Sequence, residues 1–153
     1  MSSAASLKTF LKEKKARDEE LGRLAAKEDK IKLRAAAIGG LFDDIERWLK
    51  PSVDEGVARL ERDAYAHADD QLGMLSEESL KLTVGVSEVH FVPRTGTIAG
   101  ASVRVDMTCG DRTLPIVQLR DRGWHFLVRG AVTRTEPVTE DAFADVLKEM
   151  LDG

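Results

Sequence analysis

Three histidines, one cysteine and a set of arginines are the residues of this chain with most chemistry to offer. His67 lies just before Asp69 and Asp70, which could be a fragment of a metal site. Zinc or manganese needs three or four converging ligands. The sequence has no Cys-x-x-Cys, no His-Glu-x-x-His and no pair of helical carboxylates to complete the set. No metal and no cofactor is therefore expected. His90 and His125 fall inside apolar runs and read as hydrogen-bonded sheet histidines. Cys109 precedes Gly110-Asp111. A nucleophilic cysteine needs a depressed pKa and a nearby base. Nothing local supplies either, so an exposed turn thiol is expected. No serine sits in a Gly-x-Ser-x-Gly context. Gly85, Gly96 and Gly100 form no phosphate loop, since no Gly-Lys-Ser/Thr follows them. Asp106, Arg104, His90 and Cys109 remain as dispersed candidates for a small enzyme without a nameable substrate.

The arginines offer a different chemistry. Residues 79–135 hold seven arginines against one lysine, Lys81. Guanidinium groups bind phosphate and carboxylate in bidentate fashion and also suit protein interfaces. Arg104, Arg112, Arg120 and Arg122 are the candidates for binding an anion or nucleic acid. Arg104 and Asp106 share one strand face, opposite Val103, Val105 and Met107, and there form either a solvent-face ion pair or a ligand contact. Nucleic-acid binding would be strengthened by aromatic side chains free for stacking. Phe42, Phe91, Phe126 and Phe143 instead fall on core faces. The basic cluster Lys8, Lys12, Lys14, Lys15 and Arg17 is interrupted by Glu13 and followed by Asp18, Glu19 and Glu20.

The elements that would position these residues can be read from periodicity. The chain has 153 residues, enough for one ordinary domain or a smaller one with a helical extension. From Ala4 to Lys50 strong helix formers dominate and Pro is absent. A seven-residue frame fits this stretch. One set of positions is Leu7, Lys14, Leu21, Glu28, Ala35, Phe42 and Leu49. The other is Phe10, Arg17, Leu24, Ile31, Ile38 and Ile45. Such a stripe lies along one side of a helix and must be covered. Lys14, Arg17 and Glu28 interrupt it. Gly39-Gly40 predicts a break or bend, and Pro51 should end the helix.

Residues 52–78 are ambiguous. Ser52 and Glu55 have capping-box spacing, yet Tyr65-Ala66-His67-Ala68 fits a strand as easily. Asp69-Asp70 and Gly73 read as a connection. Strands then follow in close succession: Leu80–Val86, Val89–Val92 ended by Pro93, Ala99–Met107, Leu114–Arg120 and Trp124–Val128. Asp121-Arg122-Gly123 reads as a turn. Because Pro115 cannot donate to a ladder, its strand should begin after it or lie at an edge. The connections are too short for parallel crossovers, so a meander of about five strands is expected. Thr139 is a candidate N-cap for a last helix with Ala142, Phe143, Val146, Leu147, Met150 and Leu151 on one face.

Net charge divides along the chain. Residues 1–50 carry +3, 51–78 carry -6, 79–135 carry +4 and 136–153 carry -5, within a total of -4. A protein built mainly to bind nucleic acid is thereby disfavoured. The single cysteine excludes an internal disulfide framework. No apolar run approaches the roughly 20 residues of a membrane helix. The start, Met1-Ser2-Ser3-Ala4-Ala5-Ser6-Leu7-Lys8, lacks signal-peptide order. A cytoplasmic location is expected.

Trp48-Leu49-Lys50-Pro51, Gly96-Thr97 with Gly100, Arg104-Val105-Asp106-Met107, and Phe143 together resemble a family of small uncharacterised bacterial proteins over roughly residues 40–150. The resemblance implies strands over residues 57–67 and brings no activity.

The expected fold is α+β: a helical arm over residues 1–50 with a coiled-coil-like stripe, and a sheet domain over 51–153 with a covering C-terminal helix. The expected function is non-enzymatic protein–protein interaction, with itself or another protein, through Leu21, Leu24, Ile31, Ile38, Phe42, Ile45 and Leu49. The alternatives are the anion or nucleic-acid binder and the small enzyme.

Overall fold

A computed structural model describes residues 3–96, 100–120 and 122–152. The strand start expected at Ala99, Thr97 of the Gly96-Thr97 pair and Asp121 of the expected turn lie outside the described residues. Helix α1 runs over Ser3–Asp54. Among the described residues seven strands follow: β1 Arg59–Asp69, β2 Gly73–Val84, β3 Ser87–Arg94, β4 Ala101–Cys109, β5 Arg112–Leu119, β6 Gly123–Val128 and β7 Arg134–Pro137. Helix α2, Glu140–Asp152, closes the order. The fold is α+β. The strands make one antiparallel sheet in sequence order β1 to β7. No helix among the described residues is long and apolar enough to cross a membrane. The chain divides into two compact units, Met1–Leu33 and Arg34–Gly153.

In the second unit the C-terminal part of α1 and α2 supply one wall of the core, and alternate residues of the strands supply the other. Ile38, Leu41, Phe42 and Ile45 meet Leu80, Leu82, Val89, Phe91, Val103, Val105, Met107, Ile116 and Phe126 in one cluster with Phe143 and Met150. The Phe143 ring lies 5.5 Å from that of Trp48 and 6.2 Å from that of Phe91. Thr139 caps α2 as expected: its Oγ1 accepts from Ala142 N at 3.1 Å and its carbonyl from Phe143 N at 2.8 Å.

Two expected breaks in α1 do not occur. The helix passes through Gly39-Gly40 because Ile38, Leu41, Phe42 and Ile45 are fully buried around them. Each such side chain gains about 1.5–3 kcal/mol on burial, against about 1 kcal/mol for a helical glycine. A Cβ at Gly40 would meet nothing within 4 Å. Gly40→Ala is therefore expected to raise the free energy of unfolding by about 0.5–1 kcal/mol, read as a higher urea midpoint. A lower midpoint would argue against a continuous helix here. Pro51 does not end α1 either. One further turn forms, because Trp48, Leu49 and Val53 all pack against the core. The helix then closes with Gly56 N donating to Val53 O at 3.0 Å and Val57 N to Ser52 O at 2.9 Å. Ser52 thus belongs to a helix end, not to a capping box.

Seven strands replace the five expected, and both additions are edges, β1 and β7. Pro93 lies inside β3, which corrects a further expected boundary, and Pro115 lies inside β5 with strand on both sides of it. Pro115 pairs with Asp106 of β4, whereas β6 begins to pair with β5 only at Ile116. The missing proline N–H therefore lies in a stretch of β5 that has a neighbour on one side only. The β2–β3 hairpin turns on Gly85-Val86, with Val84 opposite Ser87 and Gly85 at φ +60°. The left-handed region at this position favours glycine.

Candidate functional site

The candidate interaction residues separate along α1. In the first unit Leu21 is 65% exposed and Leu24 is 46% exposed. Leu7, Phe10 and Leu11 are exposed alongside them, and Ile31 is half-buried. In the second unit Ile38, Phe42 and Ile45 are 2%, 0% and 0% exposed, and Leu49 packs partly against the same core. The chain's own sheet therefore occupies these four positions. The seven-residue frame is the same throughout α1. What differs is that residues 34–54 have a sheet to cover them.

Charges on the first unit pair within the helix where spacing allows. Lys14 Nζ lies 2.8 Å from Asp18, Lys15 3.8 Å from Glu19, and Arg23 2.7 Å from Glu20. Such exposed pairs contribute little stability. Arg17, Lys27 and Glu28 make no ion pair among the described residues.

The four candidate arginines do not converge. Arg104 on β4 is held by Asp106 two residues along, Nε donating to Oδ1 at 2.7 Å and Nη2 to Oδ2 at 3.2 Å. Arg94 approaches the same carboxylate at 3.4 Å. Asp106 is 6% exposed, so the expected solvent-face pair is a buried one. Its strand face also carries Val117 and His125, through the pairings Arg104–Val117 and Val117–His125. Arg112 donates to the Glu149 carbonyl at 2.6 Å. Arg120 and Arg122 lie at the far end of β5 from Arg112, about 25 Å away along an extended strand. A single anion cannot touch all four.

The remaining chemical candidates are engaged elsewhere. Asp69 Oδ1 accepts the backbone N–H of Gln71 and of Leu72, both at 2.8 Å, and so holds the β1–β2 turn. His67 turns to Glu77 instead of these aspartates. His90 is half-exposed with Nε2 3.1 Å from Glu88, not in the apolar setting expected. His125 is buried, with Nδ1 3.1 Å from the Gly123 carbonyl, as a sheet histidine should be. Cys109 ends β4 and packs partly against the core, so the expected exposed turn thiol is a half-buried one.

Two charged networks went unread in the sequence. Glu77 on β2 is 9% exposed. Its Oε2 accepts from Arg34 Nε at 2.7 Å, and its Oε1 accepts from His67 Nε2. Arg34 Nη2 donates onward to the Arg94 carbonyl at 2.9 Å. On the core side Arg62 lies over the Phe42 ring, 5.7 Å from its centroid. Arg62 also donates to Glu46, to Asp43 at 2.6 Å and to Glu78 at 3.3 Å. These carboxylates, Glu46 first, raise the Arg62 pKa further above its ordinary range, partly opposed by burial. Both networks tie α1 to β1 and β2 within the second unit. No signal local in sequence could have found them, since Arg34 and Glu77 stand 43 residues apart.

No family model, no curated protein and no solved structure matches the chain.

Proposed function

We propose that the N-terminal part of α1 is a protein–protein interaction helix and that the protein acts by binding, not by catalysis. The observation that carries this is the run of large apolar side chains at Leu7, Phe10, Leu21 and Leu24, each about half exposed or more. They occupy the same frame whose later members fill the core. Large apolar side chains left exposed along one helix face mark interaction sites. A helix with one apolar stripe receives a second helix by knobs-into-holes packing. The partner is a second copy of the chain or another protein. The single cysteine suits a reducing compartment, and we place the interaction in the cytoplasm.

Leu21→Glu with Leu24→Glu tests this reading. Both sites are exposed, so the urea midpoint of the fold should stay within about 0.5 kcal/mol of wild type. Association should fall at least tenfold. It would be measured as mass by light scattering, and as partner retention on the immobilised chain. A wild-type chain that neither self-associates nor retains any protein in a stripe-dependent way would overturn the reading.

A further inference from the structure

The charges that interrupt the stripe specify its occupant. In the first unit the frame runs Lys14, Arg17, Leu21, Leu24, Glu28, Ile31, symmetric in spacing about the midpoint between Leu21 and Leu24. A two-fold axis through that midpoint, perpendicular to the helix, superposes the stripe on an antiparallel copy of itself. Leu21 then meets the partner's Leu24, and Arg17 meets the partner's Glu28. The symmetry repeats each contact, giving two leucine layers flanked by two opposite-charge layers. Lys14 falls level with the partner's Ile31, where its methylene stem covers the isoleucine and its ammonium reaches water. Beside the seam Glu20 falls near the partner's Lys27.

A parallel, in-register pair meets the opposite conditions. It sets Lys14 on Lys14, Arg17 on Arg17 and Glu28 on Glu28. Its flanks set Glu13 near Asp18 and Lys27 near Lys32, again like on like. Like charges across a seam select against that arrangement. In the structure Arg17 and Glu28, which face each other in the antiparallel arrangement, make no ion pair of their own among the described residues, as is also true of Glu13, Lys27, Asp29, Lys30 and Lys32, while Glu20 is held by Arg23. Leu21 and Leu24, which would form its centre, are open.

We infer that this chain self-associates as an antiparallel dimer through residues 14–31 of α1, in the register that sets Arg17 against Glu28 of a second copy. The inference rests on the interaction reading above and names its occupant. In this dimer the interface spans 18 residues, about 26 Å of helix. Its apolar centre is short, so the charged layers set both the register and much of the specificity.

Charge reversal on the full chain tests this, with sedimentation equilibrium as the readout. Arg17→Glu places two carboxylates in each charged layer, and Glu28→Arg places two guanidiniums there. Each single variant should weaken self-association by about 10- to 100-fold. The double variant R17E/E28R restores opposite charges and should return to within a few fold of wild type. A parallel dimer would be indifferent to either single reversal. A second readout does not depend on charge. With Cys109→Ser and a nitroxide on Lys8→Cys, the two labels should lie about 45 Å apart in the antiparallel dimer, against under about 20 Å in a parallel one. A wild-type chain that stays monomeric at millimolar concentration, single reversals without effect, a double variant without rescue, or a short label distance would each overturn the inference. A monomeric wild type that still retains another protein through Leu21 and Leu24 would leave the broader interaction reading standing.

Discussion

Glu77→Ala is expected to lower the free energy of unfolding by about 3–5 kcal/mol, the cost typical of removing one partner from a buried ion pair. The Glu77 side chain is 3% exposed and the Arg34 side chain 10%, so little water is available to replace the lost carboxylate. The change strips both Arg34 and His67 of their shared acceptor. Removing both charges should be far milder. Arg34→Met with Glu77→Leu leaves no uncompensated ion and is expected to lie within about 1–2 kcal/mol of wild type. Urea unfolding followed by tryptophan fluorescence reads this, since Trp48 and Trp124 both pack against the core. Additive costs across the two single variants and the double would show that the pair is not coupled.

Phe42→Ala is the other change expected to be severe, at about 3–5 kcal/mol. Phe42 is 0% exposed and among the largest side chains in the core. Its loss leaves a cavity between α1 and the sheet and removes the ring beneath Arg62. Phe42→Leu refills most of the space and should cost less than half as much. The contrast with Leu21 is the informative part. Both residues sit in the same set of the seven-residue frame, yet Leu21→Ala should leave the unfolding free energy of the monomer within about 0.5 kcal/mol of wild type. A small cost at Phe42, under about 1 kcal/mol, would mean that α1 does not pack on the sheet as described.

Those two positions also show what was legible in the sequence. The stripe, the meander and the last helix were all readable, because alternation and helical periodicity record which side of an element is buried. The stretches read from alternation, within β2 to β6, are mostly those with a neighbour on each side, whereas Gly73–Ser79 of β2, which pairs only with β1, went unread and β2 ends at Val84 and not at Val86. The edges were the weakest signals: β7 had none, and β1 lies where the residues alone were ambiguous and only the resemblance implied strands over 57–67. Arg59–Asp69 carries charges at Arg59, Glu61, Arg62, Asp63 and Asp69, and β7 is only Arg134–Pro137. Both edges are little buried; β1 is long but heavily charged and β7 is very short, so the period-two signal fades in each. Gly39-Gly40 and Pro51 were read by local propensity, which tertiary packing of Ile38, Phe42, Trp48 and Val53 overrides. The stripe's charged interruptions, Lys14, Arg17 and Glu28, all fall before residue 34, but the point where cover begins was not legible, since Ile31 and Ile38 look alike in sequence. The Arg34–Glu77–His67 contact lay beyond any local pattern. Its partners come from three separate elements, which only the fold brings together.

The central claim is that one apolar stripe serves two ends: it fills the core beyond Arg34 and is left for another helix before Leu33. Hydrogen exchange of the full chain, measured by mass spectrometry across a dilution series, tests it most directly. Amides over residues 38–49 should be protected at every concentration. Amides over residues 14–31 should exchange quickly at low micromolar concentration and gain at least tenfold protection as the chain associates. Leu21→Glu with Leu24→Glu should abolish that gain. Exchange over residues 14–31 that is independent of concentration, and the same in the variant, would contradict the claim that this chain is its own partner there.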